Sequence, residues 1–113
     1  MAKERLTGAT LDALYQVIDS RRGGDPTTSY SAKLFSRGPA KVAQKVGEEA
    51  TEAVIAGISG SNKELAEESA DLLYHLLALW AARGLEPEAV WQALAARRGT
   101  SGLAEKMGRA RKK

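Results

Sequence analysis

The stretch from Lys45 to His75 decides the fold of this chain, and it reads KVGEEATEAVIAGISGSNKELAEESADLLYH. It contains two acidic clusters, Glu48–Glu52 and Glu67–Asp71. The residues in the middle include Gly57, Ser59, Gly60, Ser61 and Asn62, a composition that is typical of a turn between two helices. Because a short turn makes two long helices antiparallel neighbours, the two clusters are predicted to face each other.

Each cluster holds two carboxylates three residues apart, Glu49 with Glu52 and Glu68 with Asp71. This spacing places both members of a pair on one face of a helix. Four anions packed together repel one another unless a cation compensates them, and Mg²⁺ or Mn²⁺ prefers oxygen ligands. The alternative is a solvated charged face, because Glu is a good helix former. Two clusters beside apolar stripes favour the metal site.

The rest of the chain predicts an all-α fold, a helical bundle of four to five helices in one domain. Thr10–Ser20 has helical apolar spacing, and a short helix is predicted through Ala32–Phe35. Pro39 opens the second long helix, because proline is tolerated at the first helical position. Its predicted core-facing stripe consists of Val42, Val46, Ala50, Ala53 and Val54.

Capping signals set the bounds of the last two helices. Ser61 and Glu64 predict a capping box at the start of the third long helix, which ends near Gly84. Pro87 starts a final helix that is predicted to end at Gly99. We therefore expect a domain over residues 1–99, followed by a basic and flexible tail over residues 100–113.

Composition narrows the class of protein. With 113 residues and 43% hydrophobic residues, the chain is long and apolar enough for one folded domain. It has no cysteine, which excludes disulfides and thiolate metal sites. The absence of a signal-peptide pattern and of a membrane-length apolar run predicts a soluble cytoplasmic protein. The net charge of +3 suggests an anionic partner. However, no basic stripe with interleaved aromatic residues is present, which argues against nucleic acid as the partner.

Four further polar residues are candidates for substrate binding: Lys33, Lys41, Lys45 and His75. A lysine is suited to phosphate as a point charge, although Lys45 precedes Glu49 by four residues and so also fits a simple intrahelical ion pair. His75 shares the face of Asp71. It is predicted to bond a carboxylate or to contact substrate, in preference to binding the metal. Together these residues indicate phosphoryl chemistry on a nucleotide.

The two clusters resemble the paired acidic motif of the all-α nucleoside triphosphate pyrophosphohydrolases, the MazG-like superfamily. Three stretches are similar to one branch, the phosphoribosyl-ATP pyrophosphohydrolases of histidine biosynthesis: Ser29–Phe35 (SYSAKLF), Gln44–Ala50 (QKVGEEA) and Asp71–Leu77 (DLLYHLL). The resemblance covers roughly Thr10 to Arg98.

This resemblance implies Mg²⁺-dependent hydrolysis of phosphoribosyl-ATP to phosphoribosyl-AMP and pyrophosphate. It assigns the metal to Glu49, Glu52, Glu68 and Asp71. It leaves Glu48 as a further catalytic acid, which either completes the metal shell or orients water. It also implies that Lys33, Lys41 and Lys45 are placed for the triphosphate.

Two alternatives stay open, a house-cleaning pyrophosphohydrolase for noncanonical nucleotides and a non-enzymatic helical protein that binds nucleic acid or a partner. The sequence also predicts a homodimer. On a helical wheel the leucines between Leu72 and Leu79, together with Trp80, cover a wider sector than one packed side requires. A second copy is expected to cover the remainder through a two-fold contact, and the family resemblance implies the same.

Overall fold

Five helices follow one another in residues 6–99, the part of the chain that the computed structural model describes. They are α1 (Ala9–Ser20), α2 (Tyr30–Ser36), α3 (Pro39–Ser59), α4 (Asn62–Ala82) and α5 (Pro87–Ala95). No strand occurs in this range. The predicted all-α bundle is therefore confirmed. The predicted tail over residues 100–113 lies outside the described residues.

The helix bounds follow the capping signals in the sequence. Pro39 stands at the first position of α3. At the start of α4 the Ser61 hydroxyl accepts from the Glu64 backbone N–H, and the Glu64 side chain accepts from the Ser61 N–H, which completes the predicted capping box. Gly84 has a φ of +70°, the left-handed conformation expected just after a helix. These local signals fix where the two acidic helices begin and end.

The turn between α3 and α4 is shorter than predicted. Gly57 and Ser59 belong to α3, and Asn62 already belongs to α4, so only Gly60 and Ser61 connect the two helices. A side chain at Gly60 would place its Cβ 2.9 Å from the backbone oxygen of Ala56. The close approach of the chain at this point requires glycine, whereas Gly57 is tolerated inside the helix at a cost of about 1 kcal/mol relative to alanine.

The core lies where α1 and α2 pack against the α3–α4 pair. Its buried members are Tyr15, Ile18, Leu34, Val42, Leu77, Ala78 and Ala81. The prediction that Val54 belongs to this core is wrong, because its side chain is 59% exposed. Each step of four residues advances by about 40° around a helix, so twelve residues after Val42 the stripe has rotated by about 120°. Ala56 is the buried residue near that end of α3.

The last helix ends at Ala95, four residues before the predicted end at Gly99, and residues 96–99 form turns. The Trp91 indole N–H donates to Asp12 Oδ1 at 2.8 Å, and its ring meets Trp80 edge to face with centroids 5.9 Å apart. These contacts attach α5 to α1 and to the end of α4. Among the described helices, none combines the length and the apolar character that a membrane crossing needs.

Candidate metal centre

Three carboxylates from α3 and α4 converge on one space. One oxygen each from Glu49, Glu68 and Asp71 lies within 4.8 Å of the other two. Glu49 and Glu68 are half-buried, whereas Asp71 is exposed. The antiparallel pairing of the two helices brings the groups together, as the spacing predicted. We refer to these three residues as the carboxylate cluster.

The donor chemistry of the carboxylate cluster suits a hard divalent cation. Mg²⁺ binds oxygen at about 2.0–2.1 Å in octahedral geometry, so neighbouring ligand oxygens lie about 3 Å apart. The observed separations, up to 4.8 Å, require only small side-chain rotations to reach that value. The three carboxylates together carry a charge of −3, which more than balances the +2 of the ion. The residues present therefore fit a bound Mg²⁺ or Mn²⁺.

The other two predicted acids lie next to the cluster without joining it. Glu52 lines a small cavity together with Glu68 and with residues next to the turn that connects α3 and α4. Glu48 points to its own helix, where its Oε2 accepts from the Gln44 amide at 2.9 Å and its Oε1 accepts from Lys45 Nζ at 3.2 Å. These two bonds lower the pKa of Glu48, that from Gln44 first. Glu48 is therefore held as a carboxylate on the Lys45 side.

Crowding of negative charge perturbs the cluster. Burial, followed by the neighbouring charges of Asp71 and Glu52, raises the pKa of Glu68 above its usual value. A half-buried carboxyl among other anions is more easily protonated, because the charged form is poorly solvated and repelled. A cation at this place removes both penalties. The raised pKa of Glu68 therefore reflects the same crowding of carboxylates that the geometry shows.

Lys45 lies next to the carboxylate cluster and also lines a cavity with Lys33 and Arg37. Its Nζ is 3.2 Å from Glu48 and 3.7 Å from Glu49. The hydrogen bond to Glu48 raises the pKa of Lys45, so the ammonium stays charged. The intrahelical ion pair that the sequence left as an alternative is therefore present, and it directs the lysine toward a cluster residue.

His75, the single histidine of the chain, is buried with both ring nitrogens bonded inside the protein. Nδ1 donates to the backbone oxygen of Asp71 at 2.7 Å, so in the neutral ring Nε2 accepts from the Tyr30 hydroxyl at 2.7 Å. The predicted bond to a carboxylate is wrong, because the partner is a backbone carbonyl. A direct contact of His75 with substrate would have to displace Tyr30. These two hydrogen bonds indicate that His75 positions the Tyr30 side chain and the α4 backbone at Asp71.

The predicted lysines separate into two groups. Lys33 and Lys45 line one cavity, which also includes Tyr30 and Arg37. Lys41 does not line it, and its Nζ donates to Gln44 at 3.3 Å. The sequence interpretation missed Tyr30 and Arg37. Arg37 follows Lys33 by four residues at the end of α2, a spacing that places both cations on one face and that would have revealed it.

A larger and mostly apolar cavity of about 600 Å³ lies at the other end of the long helices. It is lined by residues of the first turns of α3 and by residues at the end of α4 and in the following turn: Pro39, Ala40, Ala43, Leu79, Trp80, Arg83, Gly84 and Leu85. Glu49 is six residues along α3 from Ala43, or about 9 Å of helix rise. None of the predicted metal ligands borders this cavity, so it is separate from the carboxylate cluster.

Comparison with known proteins gives a consistent result. Residues 11–98 match the phosphoribosyl-ATP pyrophosphohydrolase family. A phosphoribosyl-ATP pyrophosphatase of Azospirillum brasilense is 60% identical over 109 residues, which cover 96% of this chain and 98% of the relative. The protein of the same name from Paramagnetospirillum magneticum is 60% identical over 90% of this chain and 94% of its own length. The phosphoribosyl-ATP pyrophosphatase of Caulobacter vibrioides is 54% identical over 95% of this chain and 98% of its own length.

Proposed function

The chain belongs to the phosphoribosyl-ATP pyrophosphohydrolase family, and we propose that it hydrolyses phosphoribosyl-ATP to phosphoribosyl-AMP and pyrophosphate, the second step of histidine biosynthesis. The observation that carries this proposal is the carboxylate cluster, which lies inside the matched range. We place the reaction in the cytoplasm as part of the same proposal. The alternative of a non-enzymatic helical protein gives no reason for three acids to meet between two helices.

Glu49, Glu68 and Asp71 would hold Mg²⁺ or Mn²⁺, and Glu52 would join them by a rotation of its side chain. Glu52 is the fourth acid because it already shares a cavity with Glu68. When bound, the cation supplies charge neutralisation for phosphate oxygens and lowers the pKa of a bound water. The carboxylates alone would repel a polyphosphate, so the cation is what makes this site compatible with such a substrate.

The residues of the chain have separate tasks in this reaction. Lys45, fixed by Glu48 and Glu49, presents its ammonium to the triphosphate beside the cluster. Lys33 adds a second positive charge on the same side. Lys41, which does not line that cavity and donates to Gln44, would add a further positive charge to the triphosphate. Glu48, the predicted acid that is not among the four proposed ligands, would orient the attacking water and accept its proton. His75 supports Asp71 and Tyr30 from behind.

The deciding experiment is a pyrophosphate-release assay with purified protein and phosphoribosyl-ATP. We expect turnover with Mg²⁺, loss of turnover in a chelator, and recovery when Mg²⁺ or Mn²⁺ is added back. Deoxynucleoside triphosphates in parallel reactions test the house-cleaning alternative. Turnover of these nucleotides at a higher kcat/KM than phosphoribosyl-ATP would contradict the proposed substrate. If no nucleotide is turned over, the proposal that the protein is an enzyme is contradicted.

The working unit is proposed to be a homodimer, and the outer face of α3 supports this. Three apolar side chains near the end of this helix are largely exposed, Val54 at 59%, Ile55 at 53% and Ile58 at 83%, and Leu73 of α4 is 41% exposed. Exposed apolar groups at this density are typical of interaction surfaces. A two-fold contact lets the same face of a second copy cover them. Sedimentation equilibrium tests this, and an active monomer at micromolar concentration would contradict it.

A further inference from the structure

A small basic cavity lies at the junction of α2 with α3, beside the carboxylate cluster but distinct from it. Its volume is about 130 Å³, and it is lined by Tyr30, Lys33, Leu34, Arg37 and Lys45. Three of these five residues are cations, and no carboxylate lines the cavity. We refer to it as the basic cavity.

Two of the three cations are available for a ligand. Across residues 6–99, neither Lys33 nor Arg37 forms an ion pair with an acid. Both are exposed, and they stand four residues apart on α2 and its end, so their charged groups share one face. Lys45 enters from α3. Cations that face one cavity from two helices repel one another unless an anion lies between them.

Lys45 connects the basic cavity to the carboxylate cluster. Its Nζ is 3.7 Å from Glu49 Oε1, and Glu49 is a member of the cluster. An anion in the basic cavity therefore lies one side chain away from the proposed cation. A polyphosphate held at the carboxylate cluster would meet the charge of Lys45 next, and Lys45 also lines the basic cavity.

The wall and the size of the basic cavity favour phosphoryl groups over a nucleoside. Tyr30 is held in place because its hydroxyl donates to buried His75 at 2.7 Å. The volume of 130 Å³ corresponds to about four waters at roughly 30 Å³ each. Pockets that enclose drug-sized organic ligands measure about 300–1,000 Å³. The basic cavity is too small for a base with its ribose, whereas a phosphoryl group suits both its size and its charge.

We propose that Arg37 is a further substrate-binding residue, which contacts the pyrophosphate end of the substrate in the basic cavity. This inference rests on the proposed function. During hydrolysis the oxygen of water bonds to phosphorus and a proton of that water passes to a carboxylate of the site. The bridging P–O bond breaks, and its electron pair stays on the departing pyrophosphate oxygen. The guanidinium of Arg37 donates two parallel N–H groups to such an anion, a geometry that lysine does not offer.

Direct binding of inorganic pyrophosphate tests the proposal without any turnover. Isothermal calorimetry in Mg²⁺ buffer compares the wild type with Arg37→Ala, Arg37→Lys and Arg97→Ala. Arg97 is a matched control, because it is an exposed arginine outside the cavity. We expect the Kd of pyrophosphate to rise about 10- to 100-fold in Arg37→Ala, the loss of one charge-assisted contact. Arg37→Lys should recover part of the affinity, and Arg97→Ala should match the wild type.

A second titration with ribose 5-phosphate identifies the phosphate that is bound. If Arg37→Ala weakens the binding of ribose 5-phosphate and leaves the Kd of pyrophosphate unchanged, the cavity binds the 5-phosphate of the phosphoribosyl group and the proposal is overturned. An unchanged Kd for both ligands overturns it as well. Circular dichroism checks that Arg37→Ala is folded, and Lys33→Ala provides an independent variant with the same expected loss. If pyrophosphate binds through Arg37 but phosphoribosyl-ATP is not hydrolysed, only the proposed function fails.

Discussion

Asp71→Asn separates a cation site from a merely acidic surface. The change keeps the size of the side chain and removes one of the three charges that lie within 4.8 Å of one another. Without metal it relieves repulsion with Glu49 and Glu68, so we expect the unfolding temperature to stay equal or to rise. With Mg²⁺ the order reverses, because the wild type gains more from the cation than the variant does. Turnover of phosphoribosyl-ATP by the variant is expected to be nearly abolished.

The size of the effect follows from binding linkage. A ligand at 100 times its Kd stabilises the folded state by about 2.7 kcal/mol. For a domain near 100 residues this shifts the unfolding temperature by about 11–22 °C, at 4–8 °C per kcal/mol. Because Asp71 is exposed, the dielectric of water applies. One carboxylate then attracts a divalent ion with about 2 kcal/mol even at about 4 Å, roughly twice the distance of a bound ligand oxygen. The lost attraction exceeds the 1.4 kcal/mol that corresponds to a tenfold weaker Kd.

At the same Mg²⁺ concentration, a tenfold weaker Kd leaves about 1.4 kcal/mol of stabilisation, so the temperature shift falls to about half or less. The assay is thermal unfolding of chelator-treated protein during a MgCl₂ titration at constant ionic strength. Glu67→Gln is the matched control, since Glu67 lies on the same helix outside the carboxylate cluster. An equal Mg²⁺ shift in Asp71→Asn and in the wild type would refute the assignment of Asp71 as a ligand.

Three further predictions follow from the same geometry. Burial and neighbouring carboxylates raise the pKa of Glu68 in the folded state. Metal-free protein should therefore lose stability as pH rises from the ordinary Glu pKa through the raised one, and Glu68→Gln should flatten that loss in pH-dependent thermal unfolding. Tyr30→Phe leaves Nε2 of buried His75 without its donor and should lower stability by about 1–3 kcal/mol. An unchanged denaturation midpoint would show that solvent replaces the hydroxyl. Ile58→Lys should weaken the proposed dimer at least 100-fold in sedimentation equilibrium, because burying two isoleucines contributes about 3–6 kcal/mol; an unaffected dimer would place the contact elsewhere.

Most of the fold is encoded in local sequence signals. Three signals act within one or two turns of helix: the proline at the start of α3, the capping box of α4 and the glycine after α4. Each can therefore be recognised in the sequence of a single helix without knowledge of its neighbours. The pairing of Glu68 with Asp71 is equally local, because residues three apart share a face whatever the helix packs against. The two-residue turn makes α3 and α4 antiparallel, and this brings Glu49 to the same place.

Tertiary packing decided the remaining features, since the rotation of a helix about its axis depends on residues distant in sequence. Burial of Val42 and Ala56 against the other helices turns Val54 outward and sets Glu52 apart from the carboxylate cluster. Contacts between helices are likewise invisible to periodicity. Tyr30 meets His75 across 45 positions of sequence, and Arg37 shares a cavity with Lys45 because α2 packs on α3. The helical repeat fixes neighbours within a helix, whereas the fit of the core fixes neighbours between helices.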